Sequence, residues 1–165
     1  MKIKVQKPVA FSEAGKKSIN GDYIYPQIED LSVDNRLFIV CDGIGNGARG
    51  GEAAKVIGEA FVKYFTQSNP PKAGKMEQLY INEALRYAER QIRNYVDQKP
   101  SRHGMASSVA FVHFNNDDTV SVAWAGVARV YHIRGNKILF RSEDHLINIR
   151  FRGESSIMPR ALNGS

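Results

Sequence analysis

The stretch LFIVCDGIGNGARGGEAA, residues 37–54, decides how this chain is read. It opens on an apolar run that predicts a strand over 36–41, buried on both faces. The run ends at Asp42 and Gly43, the first residues of a glycine-rich turn. Behind the turn, Ala53, Val56, Ile57, Ala60, Phe61 and Tyr64 recur at helical spacing and predict a helix over 50–66. A carboxylate at the end of a buried strand is held rigidly and faces a cleft. A glycine beside it lets a backbone carbonyl approach an ion with no side chain in the way. Hard divalent cations such as magnesium or manganese take oxygen ligands of this kind. Asp-Gly is also a common turn dipeptide, so these residues alone leave both readings open.

Upstream, Ile19-Asn20-Gly21-Asp22 precedes a predicted strand over 23–25, and a further strand is expected over 3–10. Asp22 reads either as a second acid near the same cleft or as a turn residue. Lys17, five residues earlier, reads either as a point charge for a substrate phosphate or as a solvated lysine. Downstream, a second helix is expected over 76–97, burying Ile81, Ala84, Leu85, Ala88, Ile92 and Tyr95. The period then becomes extended, with strands over 105–114, 119–125, 129–133 and 137–141. Strands 36–41, 105–114, 119–125 and 129–133 are expected in one packed β core, with both helices on one side. Strands and helices in runs, not in alternation, indicate an α+β fold.

At 165 residues the chain suits a single domain over 1–165. No apolar run reaches the roughly 20 residues that span a bilayer, and no signal-peptide pattern opens the sequence. A cytoplasmic location without membrane contact is therefore expected. The net charge of +6 comes from scattered lysines and arginines with no aromatic-interleaved stripe, which argues for a solvated surface and against a nucleic-acid partner. The single cysteine, Cys41, excludes an internal disulfide and reads as a buried thiol. The four histidines lack the spacing of a zinc hydrolase, and the chain has neither a P-loop ending nor a GxSxG elbow.

Taken in order, these pieces resemble the type 2C metal-dependent protein serine/threonine phosphatase family. Residues 17–22, KSINGD, resemble its opening arginine followed by Asn-Glu-Asp. Residues 37–54 resemble its strand, Asp-Gly-Met-Gly-Gly loop and first helix. Residues 105–110, MASSVA, resemble its Met-Gly-Thr-Thr strand, and 123–131, AWAGVARVY, its Gly-Asp-Ser-Arg segment. Residues 142–145, SEDH, and 158–162, MPRAL, are similar to its Thr-x-Asp-His and Thr-Arg-Ala-Leu-Gly.

The resemblance implies a β-sandwich flanked by helix pairs, with two magnesium or manganese ions bridged by an aspartate and by the attacking water. It implies hydrolysis of phosphoserine or phosphothreonine on a phosphoprotein. Asp42 would be the bridging ligand, Gly43 the carbonyl ligand, Asp22 a ligand of metal or of metal-bound water, and Lys17 the phosphate contact. The departures weaken that picture. Gly21 stands where the family has an acid, Lys17 where it has an arginine, and Val127 where it has an accessory aspartate. Asn46 and Gly47 alter the loop, and 146–157 is short for the usual helical flap. Neither the Ser-Asp-Gly turn nor the Asp-Asn segment of the family's closing third is found, so the C-terminal strands and helices are expected to be missing. Weak metal binding and little or no activity follow as expectations, with a phosphoprotein- or partner-binding module as the alternative. Were turnover robust instead, Asp144 or Glu52 would be the reserve carboxylate that completes the site. An uncovered sheet edge is expected to favour a homodimer.

Overall fold

A computed structural model describes residues 3–45, 48–68, 76–151, 154–159 and 161–163. Asn46 and Gly47, singled out in the sequence, lie outside the described residues. The main sheet is antiparallel throughout and runs in the order β1 (Asp22–Tyr25), β2 (Leu37–Ile44), β3 (Ala106–Phe114) and β4 (Val120–Ala125). Helices α1 (Ala48–Lys63) and α2 (Gln78–Gln98) lie between β2 and β3 in sequence. Architecture and class are α+β, as the unalternating order of elements predicts.

Period-two alternation gives β2 two unlike faces. Leu37, Ile39 and Cys41 are buried toward the helices, whereas Val40 and Asp42 are exposed on the other side. Register extends the division across the sheet: Ile39 faces Phe111 and Cys41 faces Val109, both buried. Helix α1 covers this face with Ala53, Ala54, Ile57, Gly58, Ala60 and Phe61. Its small residues set a close approach, since a Cβ on Gly58 would stand 2.1 Å from the Tyr23 ring. Helix α2 packs behind it through Ala84, Ala88, Ile92 and Val96, one turn apart on one stripe. Phe61, Phe65 and Phe111 close the core with ring centroids 5.1–5.7 Å apart. Each such side chain contributes about 1.5–3 kcal/mol by leaving water. Cys41 is among them, and burial pushes its thiol pKa up, as befits a structural residue.

Two expectations change, and one segment takes a form the sequence left open. Residues 3–10 form no strand; no neighbouring strand takes up their backbone groups, and Val9 is 94% exposed. The strand expected over 129–133 begins later and leaves the main sheet. It is β5 (Tyr131–Arg134), which among the described residues pairs only with β6 (Lys137–Arg141), in a separate hairpin. The cause is the turn at Gly126, whose φ of +82° diverts the chain as it leaves β4. Finally, the segment after His145 is extended. Strands β7 (Leu146–Phe151) and β8 (Glu154–Pro159) form a hairpin, and β9 (Leu162–Asn163) returns to pair with Ala106 and Ser107 at the start of β3. Among the described residues no helix is long and apolar enough to cross a membrane.

Candidate functional site

The register places Asp22 directly opposite Asp42, and Asp42 opposite Ser108. All three belong to the face that the helices leave open. A polar row thus crosses one end of a face whose next rows are Ile24, Val40, Ala110 and Trp124, then Phe38, Val112 and Val122.

Backbone packing at this end is glycine-dependent. The Gly43 N–H donates to the Gly21 carbonyl at 3.1 Å, extending the β1–β2 ladder past Asp22. A Cβ on Gly43 would stand 1.9 Å from the Gly50 carbonyl oxygen and 2.8 Å from that of Gly21. A Cβ on Gly50 would in turn be 2.7 Å from the Gly43 carbonyl oxygen. The strand end and the first turn of α1 therefore meet backbone to backbone, and the Gly43 carbonyl packs against Gly50. Gly21 differs, because a Cβ there would find its nearest neighbours at 3.9 Å.

Neighbouring polar groups fix the row. Asn20 Oδ1 accepts from the Asp22 N–H at 3.0 Å, and Asn20 Nδ2 donates to Ser12 Oγ at 2.7 Å. The buried Ser107 hydroxyl donates to the Asp42 carbonyl at 3.0 Å. Ser108, also buried, accepts the Val127 N–H at 3.1 Å. Neither serine has a role assigned from the sequence: alternation along β3 puts Ser108 and Phe111 on opposite faces, and only the strand register sets Ser108 beside Asp42.

Two carboxylates facing each other across strands repel. Partial burial raises the Asp22 pKa and the charge of Asp42 raises it further. Lys17 offsets part of this, and a hydrogen bond between the carboxyls adds to the rise. Asp22 and Asp42 are thus brought together, with Gly43 adjacent in the chain, whereas Lys17 acts on Asp22 only through its charge.

The reserve carboxylates are not brought in. Glu52 Oε1 accepts from Arg102 Nη2 at 2.6 Å and its Oε2 from the Tyr95 hydroxyl at 2.9 Å, tying α1 to α2. Asp144 takes a two-pronged contact from Arg129, at 2.7 Å from Nε and 2.6 Å from Nη2. The arginine holds the Asp144 carboxyl below the usual carboxylate range. An acid engaged by guanidinium has little left to offer a cation.

The donor set therefore fits one cation that keeps most of its water, as magnesium held by one or two carboxylates does. It does not fit a two-metal centre: among the described residues no three His, Cys, Asp or Glu side chains converge.

No family model matches the chain, and no curated protein matches it in sequence. Solved structures do match in fold. The serine/threonine phosphatase PstP/Ppp of Mycobacterium tuberculosis aligns with 79% of this chain and 50% of its own, at 19% identity and a TM-score of 0.62. The catalytic domain of a serine/threonine protein phosphatase PstP in complex with two manganese ions also matches, at 20% identity and a TM-score of 0.59. The serine/threonine phosphatase Stp1 of Staphylococcus aureus aligns with 88% of this chain and 57% of its own, at 21% identity and a TM-score of 0.66. A Stage II Sporulation E family protein from Thermanaerovibrio acidaminovorans aligns with 87% of this chain and 68% of its own, at 19% identity and a TM-score of 0.56. This chain spans about half the length of the two phosphatases. Sheet order, helix pair and these likenesses together identify a type 2C serine/threonine phosphatase-like fold.

Proposed function

We propose that the chain is a type 2C-like protein serine/threonine phosphatase domain whose Asp22–Asp42 pair binds a single magnesium or manganese ion. One observation carries this reading: the two carboxylates face each other in register at the end of the open face. A divalent cation relieves the repulsion between them, and Lys17 supplies positive charge for a phosphate. The substrate class is phosphoserine or phosphothreonine on a protein, met in the cytoplasm.

Turnover by these 165 residues is near background. In-line hydrolysis at a two-metal site relies on two ions to activate the water and to stabilise the leaving oxygen. The available donors fit only one, and Glu52 and Asp144 are committed elsewhere. That commitment favours a second reading, in which the site recognises a phosphoprotein without turning it over.

Calorimetric titration with manganese, paired with a phosphopeptide assay on wild type and Asp42→Ala, tests the proposal. Weak manganese binding that Asp42→Ala abolishes supports it. Absence of any manganese binding by the wild type sinks it. Phosphopeptide bound but not hydrolysed selects the second reading.

A further inference from the structure

The two edges of the main sheet differ. β1 is four residues long, begins on a charged residue and ends against Pro26. These features discourage strand addition. β4 is VSVAWA, six residues with no charge and no proline. Among the described residues β4 has β3 as its only strand neighbour.

Hydrogen-bond phase tells which β4 groups are free. The Asn115 N–H donates to the Thr119 carbonyl at 2.9 Å, so 115 and 119 are a hydrogen-bonded pair. Bonded pairs in an antiparallel ladder recur every second residue. His113 with Ser121, Phe111 with Ala123 and Val109 with Ala125 are therefore bonded. The Phe114 N–H donating to Arg36 on the β2 side, at 2.8 Å, agrees with this phase. Val120, Val122 and Trp124 consequently direct their N–H and C=O groups away from β3. At Gly126 the same edge is closed, where the carbonyl accepts the His145 N–H at 2.8 Å. The open stretch is thus bounded by the β3–β4 turn and by that bond.

We propose that β4 pairs with β4 of a second copy of this chain, antiparallel across a twofold axis through Val122. This register places Val122 against itself and Val120 against Trp124, and every outward group of the stretch gains a partner. No other register of two identical strands satisfies all three residues at once. Because no β4 side chain is charged, the chain's net positive charge is kept off the seam. The pairing goes beyond the proposed hydrolytic function and does not depend on it.

Two measurements test it on the whole chain. Sedimentation velocity from micromolar to several hundred micromolar should show a monomer–dimer equilibrium. Val122→Pro should shift it at least tenfold toward monomer. Proline there removes only an outward N–H and leaves the β3 ladder intact. Amide exchange on the wild type supplies the second arm, which stands even where the proline variant fails to fold. Amides of Val120, Val122 and Trp124 should slow with rising concentration, while those of Ser121, Ala123 and Ala125 stay unchanged. A wild type that remains monomeric at the highest concentration overturns the proposal. So does a dimer in which the three alternating amides exchange as fast as in dilute solution.

Discussion

The helix-facing and open sides of the main sheet are written by the same strands, yet they have opposite characters. On β2, Ile39 is 1% exposed and its neighbour Val40 is 45% exposed. Both are β-branched and apolar, so composition does not separate them. What separates them is a helix pair on one side and none on the other. The packed side determines that the sheet folds. The open side keeps the acids, because two facing carboxylates require solvent or a cation. The glycines at 43 and 50 are where the sides meet, one backbone against the other.

Gly43→Ala should break this arrangement most severely. The new Cβ would stand 1.9 Å from a backbone oxygen of α1, which has no rotamer to retreat into. A loss of about 4 kcal/mol or more is expected, at the upper end for single substitutions. Urea denaturation measures it, and a near-native midpoint would mean that strand and helix do not meet there. Next, Ile39→Ala and Val40→Ala should separate the two sides of one strand. The first should cost about 2–5 kcal/mol, as buried aliphatic truncations do. The second should stay within about 0.5 kcal/mol, as for an exposed position. Equal losses would show that Val40 is as well covered as Ile39.

How much of this was legible in the sequence depends on what kind of signal each part left. Helices α1 and α2 and strands β2, β3, β4 and β6 followed from periodicity, which local side-chain order records directly. The placement of β5 did not, because its residues alternate as a sheet strand should. A turn with positive φ at Gly126 separates it from β4, and hydrogen bonds between Val130 and Ser142 hold it to a later segment. β7 carries the alternation of a strand in Ile147, Asn148, Ile149, Arg150 and Phe151, a pattern too short to stand out from a loop. Asp42 and Asp22 were expected from strand ends and turn chemistry, and the register sets them face to face. The fates of Glu52 and Asp144 depend on Arg102 and Arg129, partners 50 and 15 residues away, and no local pattern records such pairings.

Smaller effects sharpen the account of those acids. Glu52→Gln should lower stability by about 0.2–1 kcal/mol, as expected for a partly exposed ion pair with Arg102. It should leave manganese affinity unchanged in a calorimetric titration. A several-fold loss of affinity would return Glu52 to the site.

The smallest effect concerns pH. The folded state raises the Asp22 pKa, so ionising this group costs folded-state stability above the raised value. The cost disappears below the unfolded carboxylate pKa, at about pH 4. In metal-free buffer Asp22→Asn should therefore be slightly more stable than wild type at neutral pH, by ~0.5 kcal/mol or less. The two should converge as pH falls toward 4. A variant less stable than wild type at neutral pH would indicate that the two carboxylates do not repel.

If Asp22 and Asp42 hold one cation between them and no second one, counting bound manganese by electron paramagnetic resonance, with a phosphopeptide present, should give one weakly bound ion per chain. That ion should be lost in Asp42→Ala and retained in Glu52→Gln, with phosphate release at the level of the blank. Two bound ions per chain, accompanied by turnover that Asp42→Ala abolishes, would contradict a single-ion site.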